Sequence, residues 1–240
     1  MKFFDRIFGK RAAVDFEGFI DWHSHILPGV DDGVKTLDDS LAILGEYGKM
    51  GIREVWLTPH IMEDMANTPQ SLRERFGKLA EAYDGPVRLH LAAENMIDLL
   101  FSERLAANDL LPVGPKGDML LVETSYFNPP MNFESVIGDI TRAGYFPLVA
   151  HPERYAYVES ADVYRHWKEL GCRFQLNLLS LAGGYGERVR RQAVALLGRG
   201  MYDFAGTDIH SPSQLDHLKG IRLSTDIMDH LQSLLSNNQY

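Results

Sequence analysis

Five of the chain's nine histidines stand just past runs that read as β-strands. Imidazole in such positions binds metal ions or moves protons. His23 and His25 sit in Asp-Trp-His-Ser-His, His60 ends Leu-Thr-Pro-His, His151 opens His-Pro-Glu-Arg, and His210 closes Thr-Asp-Ile-His. The apolar runs before them are 18–22, 52–58, 145–150 and 201–206, and two further runs, 86–93 and 118–122, end at the carboxylates Glu94 and Glu123. Any one of these histidines alone is more often an ordinary hydrogen-bonded side chain. Their shared phase, at the C-terminal ends of successive strands, is how a barrel gathers a site.

A His-x-His at a strand end turns both rings to one side, because side chains two apart share a face. Glu94 and Glu123 each close an apolar run, where an unpaired carboxylate is expensive to bury. With Asp32 and Asp208, four acids would meet in one cavity, and they cannot all stay ionised without cations. No lysine or arginine stands beside them in sequence, so divalent metals are the economical answer. Mixed imidazole and carboxylate ligands suit zinc, manganese or iron. The candidate ligands His23, His25, Asp32, His60, Glu94, Glu123, His151, Asp208 and His210 exceed what one ion needs, so two or three ions are implied. Clustered divalent ions do hydrolytic chemistry. His90, His166 and His230 read as structural, and His217 is a secondary candidate for facing a substrate.

Positioning these groups requires regular elements. Strand-like and helix-like runs alternate with a period of roughly 30 residues, the βα pattern of a parallel sheet. Strands are expected near Ile20, Val55, Leu89, Leu121, Leu148, Phe174 and Phe204. Helices are expected over 37–50, with Thr36 as cap and Asp39 three residues on, and over 71–83 after Thr68-Pro69. Further helices are expected over 97–107, 133–143, 161–170, 187–197 and 224–235. An open doubly wound sheet would gather its site at one switch point. Here candidate ligands follow strands one to five and seven, which surround a common centre only if the sheet curls round. The expected fold is therefore α/β, a distorted (β/α)7 TIM-like barrel.

With 45% apolar residues in 240, the chain supports one sizeable core, and residues 18–240 are expected to form a single catalytic domain. Residues 1–17 form a basic and aromatic N-terminal segment, in which Phe4, Ile7 and Phe8 fall at helical spacing among Lys2, Arg6, Lys10 and Arg11. Such a segment either packs on the barrel's own exterior or makes peripheral membrane contact through residues 1–11. Its shortness favours the first. The net charge of −9 argues against nucleic acid as a general partner. The lone Cys172 rules out an internal disulfide and suits a reducing cytoplasm. Six residues after it stands Leu178, so the Cys-x5-Arg loop of thiol phosphatases is missing. No run approaches the roughly 20 apolar residues of a membrane span.

The segment Ile20-Asp-Trp-His-Ser-His-Ile-Leu-Pro-Gly-Val-Asp-Asp-Gly-Val-Lys-Thr36 closely resembles the opening of the PHP (polymerase and histidinol phosphatase) superfamily. It is most similar to the branch of bacterial protein-tyrosine phosphatases of the capsule and exopolysaccharide type, the CpsB/YwqE-like branch. The likeness continues through Thr58-Pro-His60, Ala93-Glu94, Val122-Glu123, Ala150-His-Pro-Glu-Arg-Tyr155, Gln175-Leu-Asn177 and Gly206-Thr-Asp-Ile-His210.

The resemblance implies a trinuclear centre, usually run on manganese, with iron or zinc as alternatives. It implies that His23, His25, Glu94 and Asp208 serve one ion, that Glu94 bridges to a second held with Glu123 and His151, and that Asp32, His60 and His210 hold the third. Arg154 matches the family's phosphate-binding arginine, and Arg154, Asp208 and His210 are the residues expected to take part in catalysis. The implied reaction is hydrolysis of phosphotyrosine by a hydroxide bridging the ions, with a glycine-rich loop, Leu27–Gly33, shaping the mouth. The implied partner is a phosphotyrosine protein, the C-terminal tail of a bacterial tyrosine kinase that controls polysaccharide export.

The chain departs from the branch after the final Asp-x-His. A further arginine is usual there, and this sequence has Ser211-Pro-Ser-Gln-Leu-Asp-His-Leu-Lys219, leaving Lys219 or His217 as substitutes. One competing reading is a PHP-fold phosphatase of a small phosphomonoester such as histidinol phosphate. An amidohydrolase-type barrel would carry a carboxylated lysine after strand four, where Glu123 stands. A third is a barrel that keeps its metals for structure or binds a phosphorylated partner without cleaving it.

Overall fold

The computed structural model describes residues 11–65 and 67–237. Residues 1–10, which carry all of the basic aromatic motif except Arg11, lie outside the described residues. The strands are β1 (Arg11–Ala13), β2 (Ile20–Ser24), β3 (Glu54–Leu57), β4 (His60–Ile61), β5 (Arg88–Leu91), β6 (Glu94–Met96), β7 (Met119–Glu123), β8 (Phe146–Ala150), β9 (Arg173–Asn177), β10 (Phe204–Gly206) and β11 (Arg222–Ser224). The helices are α1 (Leu37–Lys49), α2 (Pro69–Ala82), α3 (Phe101–Ala106), α4 (Phe133–Arg142), α5 (Ala161–Glu169), α6 (Leu178–Leu181), α7 (Glu187–Gly198), α8 (Pro212–Lys219) and α9 (Thr225–Asn237).

All seven expected strands are present, as β2, β3, β5, β7, β8, β9 and β10. They divide between two parallel sheets, one ordered β2-β3-β5 and the other β10-β9-β8-β7-β6-β4. The sheets meet at two places. At the first, the Asp208 N–H donates to the His23 carbonyl at 2.7 Å and the His25 N–H to that of Ile209 at 3.0 Å. At the second, the chain itself crosses: β3 passes through Thr58-Pro59 into β4, and β5 through Ala92-Ala93 into β6. The sequence reading expects one strand before each of His60 and Glu94, and the structure has two. Pro59 has no N–H and a fixed φ, so the β3 ladder cannot run on. Instead the Glu94 N–H donates to the Pro59 carbonyl at 3.1 Å, and the new register sets His60 opposite Glu94 and Met96 opposite Glu123.

Side-chain caps start the helices where the sequence places them. Thr36 accepts the Asp39 N–H at α1, and Thr68 and Ser71 form a reciprocal capping box at α2, with Pro69 in its first turn. α3 is shorter than the expected 97–107. Asp98 accepts the N–H groups of Glu63 and Leu100 and pairs with Arg104, which holds 97–100 as a loop. α6 and α8 were not expected; they follow Asn177 and Ser211 as caps, the latter with Pro212 in the first turn.

Apolar side chains sort into two layers. Trp22, Trp56, Leu121, Leu148 and Phe204 fill the space between the two sheets, where Trp22 and Trp56 stack at 5.9 Å. A larger cluster, with Leu44, Ile140, Phe174 and Leu196, packs helices on the outside. Cys172 is buried and its thiol is pushed up to about 12 by burial, an inert packing residue. β1 pairs antiparallel with β11, so residues 11–13 are tied to the main body. Among the described residues no helix is long and apolar enough to cross a membrane.

Two features draw β2 and β10 together beneath the histidines. Asp21 is buried and accepts the Thr207 N–H at 2.8 Å, the Thr207 hydroxyl at 2.7 Å and the Tyr47 hydroxyl at 2.8 Å. Burial outweighs these bonds and raises its carboxyl to about 6. Gly206 lies so close to β2 that a Cβ there would sit 2.6 Å from His23 Cβ and 2.8 Å from its nitrogen. Gly206→Ala must therefore push the strands apart, and we expect a loss of about 1–3 kcal/mol of stability in urea denaturation. An unchanged midpoint would mean that this contact constrains nothing.

Candidate metal centre

Eight of the nine candidate ligands reach the centre from a strand or from the few residues after one, and Asp32 reaches it from the loop between β2 and α1. His23 is in β2, His60 opens β4, Glu94 opens β6 and Glu123 closes β7, while His25, His151, Asp208 and His210 follow β2, β8 and β10. The register of β2 shifts between Asp21 and Ser24. That irregularity lets Asp21 face Tyr47 while His23, two residues on, faces the site. His151 and Asp208 hold φ of +31° and +51°, left-handed values rare outside glycine that here aim each side chain inward.

All nine candidates come together. Glu94 Oε2 lies 3.1 Å from His23 Nε2, 3.1 Å from His25 Nε2 and 3.3 Å from His60 Nδ1. Asp208 Oδ1 is 3.4 Å from both His23 and His25 Nε2, and the two ring nitrogens are 3.0 Å apart. His151 Nε2 is 3.0 Å from Glu94 Oε1, His60 Nδ1 is 3.0 Å from Glu123 Oε1, and Asp32 Oδ1 is 3.5 Å from Nε2 of His60 and of His210. Donor atoms within 4.8 Å of one another form three groups: His23, Glu94, His151 and Asp208; His60, Glu94 and Glu123; and His25, Asp32, His60 and His210. These groups contain the nine expected residues but divide them differently from the resemblance. His25 falls with the outermost set and His151 with His23.

The chemistry of the donors fits a cation. His23 Nδ1 faces Gln175 Oε1 at 2.9 Å, His25 Nδ1 faces Asp31 Oδ2 at 2.8 Å, and His210 Nδ1 faces the Asp208 carbonyl at 2.8 Å. All three partners are acceptors, so each Nδ1 carries a proton, and each ring in its neutral form presents an unshared pair at Nε2. Such pairs repel one another and the carboxylates unless positive charge sits among them. His60 Nδ1 is buried and makes no hydrogen bond despite two carboxylate oxygens nearby, the state of an atom awaiting a different partner.

Charge balance runs the same way. Burial would lower His23, but Glu94 and Asp208 outweigh it and raise the imidazole to about 9. His25 is raised well above its usual value against burial, by Asp31, Asp208 and Glu94. Burial alone would push Glu94 and Asp208 up; the imidazoles, His23 foremost, hold both well below the usual carboxylate range. Without metal, protons on the rings neutralise the acids.

The His151-Pro-Glu-Arg154 motif divides its work. His151 enters the centre, while buried Glu153 accepts the Asn177 N–H and the Tyr202 hydroxyl, both at 3.0 Å. Arg154 donates to Asp208 Oδ2 at 2.9 Å and lies between two aromatic faces, 4.3 Å from the Tyr126 ring and 4.1 Å from Tyr185. These groups line a pocket of about 260 Å³ with Asp32, His60 and Gln214. Lys219 instead pairs with Glu46, and His217 is exposed on α8, so neither stands in for a second arginine; Gln214 is the residue of that segment at the pocket.

Asp31, Tyr126, Tyr185 and Gln214 also belong to the site although they are not among the residues expected from the sequence, and Gln175 and Asn177 take roles beyond the motif that contains them. The last two could have been found, since polar residues alternating with Phe174 and Leu176 mark one face of a strand. Nothing local marks the tyrosines.

The Capsular polysaccharide synthesis, CpsB/CapC, family model matches residues 19–217. The tyrosine-protein phosphatase YwqE of Bacillus subtilis is 29% identical over 197 residues, 80% of this chain and 77% of that one. Tyrosine-protein phosphatase CpsB of Streptococcus pneumoniae is 28% identical over 202 residues, 80% of this chain and 83% of its own. Among solved structures, one reported for YwqE from Bacillus subtilis and CpsB from Streptococcus pneumoniae, described as unique metal-dependent tyrosine phosphatases, superposes with a TM-score of 0.76 at 26% identity. It covers 92% of this chain and 95% of that chain. A histidinol phosphate phosphatase from Lactococcus lactis shares the fold at a TM-score of 0.55 and 15% identity, over 91% of this chain and 93% of that one. With a family model matched over most of its length and the same fold in solved relatives, this chain belongs to the CpsB/CapC family of capsular polysaccharide synthesis.

Proposed function

We propose that this protein is a metal-dependent protein-tyrosine phosphatase. Its substrate is a phosphotyrosine protein in capsule or exopolysaccharide synthesis, and the tyrosine-rich tail of a bacterial tyrosine kinase in the cytoplasm suits that role. The observation that carries the reading is the meeting of nine imidazole and carboxylate donors in one cluster, five of which line a pocket together with Arg154. The relatives YwqE and CpsB supply the reaction class. We take the two parallel sheets together as one distorted (β/α)7 barrel and residues 18–240 as its catalytic domain, a view that the shared interior layer of Trp22, Trp56, Leu121 and Phe204 supports.

On this reading His23, Glu94, His151 and Asp208 would hold one ion, His60, Glu94 and Glu123 a second, and His25, Asp32, His60 and His210 a third. Manganese suits the ligand set, with iron or zinc as alternatives. Divalent cations bound there supply an activated water nucleophile and fixed positive charge for phosphoryl transfer. The chain's own part is positioning. Tyr126, Tyr185 and Asp208 fix the Arg154 guanidinium, which binds phosphoryl oxygens through paired N–H groups. Burial lowers and Asp208 raises its pKa, with a net upward shift that keeps the arginine charged. His210 and Asp32 are the most exposed donors of the cluster, so a leaving group on their side has access to solvent. A phenol of pKa about 10 leaves more readily than an alkyl alcohol, so the site needs less help with a tyrosine ester.

His151→Ala is expected to lower bound metal in the purified protein and to reduce phosphotyrosine-peptide hydrolysis by more than about 100-fold. Full metal content with full activity would remove His151 from the centre. Histidinol phosphate is expected to be a poor substrate beside the peptide, and the reverse ranking would transfer the function to small phosphomonoesters.

The raised His23 value fixes the sign of the pH dependence. At neutral pH the metal-free ring holds a proton that an ion must displace. Metal affinity is therefore expected to fall as pH drops from about 9 toward 6.5, with protons released on binding at pH 7. A folded-state value above the unfolded one stabilises only below it, so chelator-treated protein should lose stability as pH rises from 6.5 through about 9. Binding enthalpies measured in buffers of different ionisation heat report the proton release. Identical enthalpies in all buffers would contradict it.

A further inference from the structure

The loop that follows β7 has two sides. Tyr126 lines the metal pocket and stacks on Arg154, whereas Phe127 is 76% exposed and Met131 fully exposed. Pro130 and Met131 form the shared edge of two surface grooves. One, of about 600 Å³, runs past Ile97 and Leu99, and Leu99 is itself 83% exposed. The other, of about 520 Å³, is walled by Phe133, Tyr157, Val158, Val163 and Trp167. Single exposed apolar side chains are ordinary, but a cluster beside two grooves and near the metal pocket is the kind of surface that marks an interaction site.

The surface adjoins the pocket through one loop, in which Tyr126 lines the pocket and Pro130, Met131 and Asn132 line both grooves. Beneath the loop an aromatic row runs from Tyr126 through buried Tyr155 at 6.3 Å to Tyr157 at 5.6 Å, in the wall of the second groove. The five residues from Tyr126 to Met131 can span at most about 18 Å. A polypeptide with one side chain in the pocket, extended at about 3.3 Å per residue, therefore reaches the grooves with its next few residues. The charges select among such residues. The groove linings include Glu63, Asp98 and Glu134 and no lysine or arginine; Asp98 pairs with Arg104 and Glu134 lies 3.0 Å from His166, so Glu63 and the net charge of −9 disfavour acidic flanks while the apolar walls accommodate apolar ones.

We infer that these grooves dock apolar residues flanking the phosphotyrosine of a polypeptide substrate. The inference rests on the tyrosine-phosphatase reading and deepens it, since sequence context then joins the phosphoryl group in setting specificity.

The test uses the full chain loaded with Mn²⁺, as wild type and as the triple variant Leu99→Ser, Phe127→Ser and Met131→Ser, all at exposed positions. The substrates are p-nitrophenyl phosphate and three phosphotyrosine peptides, flanked by Leu and Phe, by Gly and Ser, or by Glu. Wild type is expected to favour the Leu/Phe peptide over the Gly/Ser peptide by about tenfold or more in kcat/KM, the scale of burying one apolar side chain. The Glu peptide should rank last. The triple variant should lose that preference while hydrolysing p-nitrophenyl phosphate as wild type does. A preference that survives in the variant, or an equal loss on p-nitrophenyl phosphate, overturns the docking role. So does a change in oligomeric state on light scattering, which would make the patch a self-interface. Loss of sedimentation with anionic vesicles in the variant would make it a membrane contact and overturn the role equally. If wild type cleaves p-nitrophenyl phosphate but no peptide, the phosphatase reading itself falls. If it cleaves all peptides alike, only the docking role does.

Discussion

One carboxylate oxygen, Glu94 Oε2, faces three imidazole nitrogens at 3.1 to 3.3 Å, and the remaining donors close in around that contact. Electron-rich atoms do not hold such spacing by themselves. Something positive must lie among them, either protons on the rings or metal ions, and the two compete for the same positions. The depressed carboxylates and raised imidazoles of the metal-free state express that competition. The acceptors behind the rings, Gln175, Asp31 and the Asp208 carbonyl, fix which nitrogen of each ring turns inward, so that Nε2 is the atom for which proton and metal compete.

The surrounding architecture serves that convergence. β2 and β10 touch backbone to side chain at Gly206 and are pinned through buried Asp21, so His23 and Asp208 come from opposite ends of the chain to within 3.4 Å. On the far side, the interruption at Pro59 moves His60 and Glu94 out of the first sheet and into the second, in register with the β7 strand that carries Glu123. The left-handed backbone at His151 and Asp208 adds local strain of order 1–3 kcal/mol each, held by the packing around it.

Much of this was legible in the sequence because the relevant signals are local. Apolar runs gave the seven main strands, Thr36 and Thr68-Pro69 gave helix starts, and polar residues at or shortly past apolar runs gave eight of the nine candidate ligands, with Asp32 read from the loop after β2. What escaped depends on tertiary placement. The short strands β4 and β6 arise only because a neighbouring sheet offers a register, and the grouping of donors turns on how far each strand end leans inward. Asp31 was hidden by its neighbour Asp32, since two adjacent aspartates in a loop give no hint which one turns to the centre and which supports a ring. Tyr126 and Tyr185 lie 59 positions apart in loops and meet only across Arg154.

The donor set begins at His23 and ends at His210, so its members are separated by most of the chain. Contacts of such long range close late in folding, after the loop entropy between them has been overcome. A growing polypeptide emerging from the ribosome therefore offers passing ions only loose pairs such as His23 and His25. The complete set of donors exists only once β10 and the residues after it have docked against β2, and the choice of ion falls to the finished fold and to whichever cations the surrounding fluid then contains.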